Sequence, residues 1–170
     1  MKLLHWTNLP RPYWRAWVLR VTLPTDVRTV LVAALKRAGH KECGGVLMGE
    51  HIGPNHFAVR QLTVHRPGAV AFFVRRLGGV VSAIKRYCQA HGNDYQRFNY
   101  LGEWHSHPPF SVQPSAQDHA SMRELVTDHS VGANFVVLMV VRLNSTELEG
   151  SVHTYLPDGS VHPSLLDLEN

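Results

Sequence analysis

Cysteine is scarce in this chain: Cys43 and Cys88 are the two thiols among 170 residues. Such usage gives no disulfide framework and fits a reducing compartment, so the cytoplasm is the expected location. Long apolar runs are missing too. The longest clean one, Phe135 to Val141, falls far short of the roughly 20 residues that span a bilayer, and Met1 to Trp17 is broken by Asn8, Pro10 and Arg11. Neither a transmembrane helix nor a secretion signal is expected. Charged residues make up only 18% of the chain, and no low-complexity tract, internal repeat or linker interrupts it. With 44% apolar residues, the chain is expected to fold as one domain over residues 1–170 around a single core.

The net charge of +4 and pI near 9.3 are compatible with an acidic partner. The basic residues are dispersed, however, apart from small groups such as Arg11, Arg15, Arg20 and Arg75, Arg76. A solvated basic surface explains them, and nucleic acid is not an expected partner.

Apolar periodicity outlines the elements. Trp14 to Leu23 reads as a first strand, ended by Pro24. Thr25 is the expected N-cap of a first helix from Asp26 to about Ala38, with Val27, Val30, Leu31, Ala34 and Leu35 at helical spacing. Gly44–Gly49 and Phe57–Val64 read as strands of a hairpin turning at Gly53, Pro54 and Asn55. Between His65 and Gly79 only a turn at Arg66-Pro67-Gly68 and a short apolar piece, Ala71 to Val74, can be read. A second helix is expected over about Val80–His91, a strand over Tyr100–Ser106, and a third helix over about Ala116–Thr127. Phe135–Arg142 reads as a strand buried on both faces and Glu147–Leu156 as its hairpin partner, with the rest a short tail after Pro157, Asp158 and Gly159. This order implies an α/β or α+β sandwich with a mixed central sheet.

Twelve histidines are present, most of them isolated, and only one pair has ligand spacing. His105 and His107 stand at i and i+2 of a strand and project to the same face. Asp118 follows Ser115 by three residues, in the first turn of the third helix, where it adds an oxygen ligand. Two imidazole nitrogens and one carboxylate oxygen suit a single tetrahedral Zn²⁺ with one position left for water, the mark of a catalytic site. Zinc lowers the pKa of a bound water to about 7 and polarises a carbonyl, as peptide hydrolysis requires. The reaction also needs a base, which no local spacing identifies.

The stretch His105-Ser106-His107-Pro108, followed after six residues by Ser115-Ala116-Gln117-Asp118, resembles the metal-binding signature of the JAMM metalloproteases, whose domain is also called MPN-plus. Upstream, Glu42-Cys43-Gly44-Gly45 with Gly49 is similar to the opening Glu-x-Gly-Gly-x-x-x-Gly of that family. The resemblance covers Glu42 to Asp118 directly, and the metal-site core it implies runs from about residue 26 to 156. It implies a cytidine-deaminase-like sandwich flanked by about three helices. It further implies one Zn²⁺ held by His105, His107 and Asp118, with Glu42 as general base and the Ser115 hydroxyl stabilising the oxyanion. Ser115 also reads as an N-cap, and the two roles are compatible.

Other residues near the motif take plainer roles. Cys43 reads as a small buried residue, since a neighbouring carboxylate opposes thiolate formation. Trp104 points to the opposite face and reads as core. His119 points about 100° away from Asp118 around the helix and is not a ligand. Glu103 lies on the face of His105 and is given no chemistry.

Tyr100 to Pro108 is most similar to compact bacterial members of the family, found beside E1-like activating and E2-like conjugating proteins, some in antiphage systems. The resemblance therefore implies an isopeptidase or peptidase. Its substrate would be the C-terminal tail of a ubiquitin-like protein, or of a conjugated protein such as a cyclic-nucleotide synthase, added as a strand beside the site. Processing of a sulfur-carrier protein, a metal-free scaffold, and a nucleic-acid role like that of the RadC group are the alternatives.

Overall fold

The computed structural model of the protein describes residues 18–65, 77–129 and 131–169. Its elements in chain order are β1 (Arg20–Leu23), α1 (Thr25–Ala38), β2 (Gly44–Gly53), β3 (His56–Leu62), α2 (Leu77–Ala90), β4 (Phe98–Ser106), α3 (Ala116–Thr127), β5 (Val136–Asn144), β6 (Glu147–Tyr155) and β7 (Val161–Leu168). The turn expected at Arg66-Pro67-Gly68, the apolar piece Ala71–Val74 and the start of the first expected strand, Trp14–Trp17, lie outside the described residues.

The sheet is mixed and three helices flank it, but it is not the open sheet of a sandwich. The strands close into a barrel in the order β1-β3-β2-β4-β5-β6-β7, with β7 pairing β1 in parallel from Arg20↔Leu165 to Leu23↔Leu168. The element that closes it, β7, lies in the stretch after Gly159 that the sequence pattern reads as a tail. None of the residues of β7 is fully buried, and Pro163 within it has no N–H to give, so the strand carries no apolar run to betray it.

Strand β5 organises the interior. Alternation sends Val137, Met139 and Val141 into a cluster with Leu31, Phe57, Trp104 and Phe135 under α1. Val136, Leu138 and Val140 go into a second cluster with Ile84, Met122, Leu125 and Tyr155 under α2 and α3. This is the strand buried on both faces that its continuous apolar run implied. Each such side chain contributes about 1.5 to 3 kcal/mol when fully buried.

Local chemistry explains most boundaries. Pro24, not Thr25, is the N-cap of α1, and no side chain caps it. Proline suits the extended φ of −61° there, while Thr25 begins the helix and turns its hydroxyl to the carbonyl of Glu169, 3.4 Å away. The β2–β3 hairpin turns where expected, with Asn55 at φ 53°, although β2 runs on to Gly53 and β3 stops at Leu62. Beyond it, Thr63 and His65 still donate their N–H groups to Val46 O and Gly44 O of β2. A Cβ on Gly45 would stand 1.8 Å from Thr63 O, so only glycine lets these backbones approach.

Candidate metal site

Strand β4 lies between β2 and β5, pairing Gly44↔His105 on one side and His105↔Val140 on the other. His105 and His107 therefore leave the end of a central strand, on the side facing α3, and both are buried. Ser106 between them does structural work on the opposite side. Its N–H donates to Cys43 O at 2.8 Å, and its hydroxyl accepts from Cys43 N at 2.9 Å. Cys43 is thereby clamped to β4, and Glu42, one residue earlier, is held exposed at the rim of the same cleft.

Helix α3 supplies the third candidate ligand, Asp118, through its own start signal. The Ser115 hydroxyl accepts from Asp118 N at 3.2 Å while the Asp118 carboxylate accepts from Ser115 N at 2.7 Å, a reciprocal capping box. The bonds that begin the helix also aim the carboxylate. Asp118 Oδ2 stands 3.4 Å from Nε2 of each histidine, and the two Nε2 atoms are 3.1 Å apart.

These separations fit a zinc ion. Ligand atoms about 2.0 to 2.1 Å from a tetrahedral ion lie roughly 3.3 Å from one another. The tautomer fits as well. His107 Nδ1 is 3.0 Å from Ser111 O, and a carbonyl can only accept, so Nδ1 carries the hydrogen and Nε2 turns its lone pair inward. With His105 Nε2, this lone pair and the Asp118 carboxylate form a converging, largely buried donor set that a metal cation would fit. Burial works against the charge of Asp118, but His105 and the hydrogen bonds from Ser115 outweigh it and hold its carboxyl well below the usual carboxylate range.

The cleft over this centre has a volume of about 380 Å³ and is lined by Glu42, Ser115 and Phe110 as well as the ligands, with Glu103, Met122 and Leu138 along its floor. Burial raises Glu103 to about 7, even though His105 nearby opposes the shift. His119 turns away, its Nδ1 2.9 Å from the Tyr155 hydroxyl. Trp104 is buried in the opposite core and donates its Nε1–H to Thr63 O at 2.9 Å. Cys43 does not line the cleft, and burial raises its thiol pKa, offset only in part by the Ser106 hydroxyl. All the residues singled out for the metal, the base and the oxyanion thus meet in one cleft. Spacing alone gives no structural role to Ser106, because its partner Cys43 is remote in the chain.

The chain matches the family described as prokaryotic homologs of the JAB domain over residues 24–155. It belongs to that family, part of a wider one that includes metalloisopeptidases and whose prokaryotic members are often catalytically inactive. No curated protein sequence gives a significant match. Among solved structures, the solution structure of protein DSY2949 from Desulfitobacterium hafniense is similar with a TM-score of 0.60 at 18% identity, over 88% of this chain and 93% of that one. The two share a fold.

Proposed function

We propose that the protein is a zinc-dependent isopeptidase that cuts after the C-terminal tail of a ubiquitin-like or otherwise conjugated protein. The observation that carries this reading is the convergence of His105 Nε2, His107 Nε2 and Asp118 Oδ2 at 3.1 to 3.4 Å in a cleft that also holds Glu42. Zinc, when bound there, supplies a water acidic enough to react near neutral pH and a Lewis acid beside the carbonyl. Glu42 takes a proton from the attacking water and passes it to the departing nitrogen as the C–N bond breaks. Ser115 accepts from Asp118 N through a lone pair, so its own O–H remains available to donate to the carbonyl oxygen as charge develops.

The path of the tail follows from barrel closure. Both sides of β4 are taken by β2 and β5, so no strand adds there. Strand β3, by contrast, pairs with β1 only at His56–Ala58. Past that point its outward backbone groups, at Leu62 and Val64, have no partner strand among the described residues. This edge runs alongside Gly44, two residues from Glu42, and a tail laid along it as an extra strand leads toward the cleft. Among the described residues the cleft lining includes no Lys or Arg to pair with a free carboxylate.

Bacterial antiphage conjugation, with a cyclic-nucleotide synthase as target and activating and conjugating proteins of the same system as partners, is the setting we propose. Elemental analysis tests the centre on which the reading depends. We expect about one zinc per chain in the native protein and none in Asp118→Ala. Native protein that takes up no zinc when supplied would replace the enzyme with a scaffold.

A further inference from the structure

Phe110 is the large apolar side chain most exposed among the described residues, at 65%, and it lies on the lining of the cleft. An isolated exposed apolar residue is ordinary on a protein surface. What sets this one apart is how firmly its backbone is held while its ring is left without a role in the core. Phe110 N donates to His107 O at 3.1 Å. Phe110 O accepts from Arg142 Nη1 at 3.0 Å, and the same guanidinium grips Glu149 Oε2 through Nε at 2.7 Å. Asn144 Nδ2 steadies the other oxygen of Glu149, also at 2.7 Å. The next two carbonyls are held as well, Ser111 O by His107 Nδ1 and Val112 O by the Ser151 hydroxyl.

One consequence is that the segment carrying Phe110 is tied directly to a metal ligand at one end and to the β5–β6 hairpin at the other. The backbone cost of presenting the ring beside the cleft is thus already met, leaving only its two side-chain torsions to be fixed on binding.

The occupant follows from chemistry. A glycine-ending tail brings no side chain to the acyl side of the bond, so apolar carbons near the scissile amide come from the amine side. In an isopeptide that group is the four-methylene stem of a lysine. Once released, its ammonium lies beside the Glu42 carboxylate at the cleft rim, where the described lining residues include no Lys or Arg. An aromatic face suits both the stem and the cation.

We infer that Phe110 is a specificity-determining residue that packs on the lysine stem of the leaving group and makes the site selective for isopeptide over other amide bonds. This rests on the hydrolase reading above and names its substrate class.

The test uses two synthetic probes, a peptide ending in Gly-Gly joined either to Nε of a lysine within a blocked tripeptide or to methylamine. Zinc-loaded native protein is expected to favour the lysine-linked probe at least tenfold in kcat/KM. Phe110→Ala, with zinc content and Tm unchanged, should abolish that preference, and Phe110→Leu should restore most of it. Hydrolysis with the same preference in Phe110→Ala overturns the inference and leaves the hydrolase reading intact. If the native protein cleaves neither probe, binding of a fluorescent lysine-linked probe to Glu42→Gln decides. A tenfold weaker Kd on adding Phe110→Ala upholds the contact without the hydrolase, and equal or absent binding removes it.

Discussion

Asp118 owes its position to the two hydrogen bonds that open α3, and Glu42 owes its position to the clamp between Cys43 and Ser106. The two carboxylates therefore answer differently to substitution. Glu42 touches none of the ligand atoms' tethers, so Glu42→Gln should keep the full zinc content of the native protein while kcat falls by about a hundredfold or more, in the range of a lost general base. Paired metal analysis and turnover on one preparation checks this. Retained turnover would remove Glu42 as the base. At this scale the candidate metal ligands were legible because their spacing is local: two residues along a strand and three along a helix start. The proposed base was not, since nothing in the sequence between Glu42 and His105 tells that Gly44 pairs with His105, and only the resemblance to a family reached it. Phe110 was hidden for another reason, because exposure and backbone tethering have no pattern in sequence.

Among the elements, β2 and the segment after β3 are held at a distance only glycine allows. A methyl group at position 45 would have to displace the Thr63 carbonyl from 1.8 Å, and backbone on both sides leaves it nowhere to go. Gly45→Ala should destabilise the protein by about 3 kcal/mol, the upper range for overpacking, as read by denaturant midpoint at constant m-value. An unchanged midpoint would mean that the segment moves freely. Helix α3 was readable in full because its cap, its first-turn aspartate and its apolar face all agree. Strand β7 was not, because its neighbours β6 and β1, rather than its own side chains, make it a strand.

For the molecule as a whole, Glu50 is a nearly buried charge that joins β2 to β3 and to the approach of β4. It accepts from Arg60 Nε at 2.7 Å and lies 2.6 Å from Arg97 Nη2. Burial opposes its ionisation, but the two guanidinium groups outweigh it and hold its pKa below the ordinary 4.5. Its stabilisation is therefore present above that value and is lost as pH falls through the lower folded one. Glu50→Gln should cost about 1 to 2 kcal/mol at pH 7, a modest figure because both arginines are largely solvated. The gap in Tm between native and variant should close below pH 4.5. A gap independent of pH would mean that shape, not charge, is at work. The single domain and its three helices were legible in the sequence, whereas closure of the sheet was not, since it is a property of pairing between the far ends of the chain.

That pairing also sets an order of events during synthesis. Every residue named for the metal centre, from Glu42 to Asp118, and the strands that hold them precede β7, yet β1 waits from the start of the chain for its last partner. Contacts of such long sequence separation form slowly. Until β7 docks, β6 and β1 each expose a strand edge able to pair with another chain. The nascent protein is thus most prone to aggregate after its candidate metal site is assembled and before its barrel is shut.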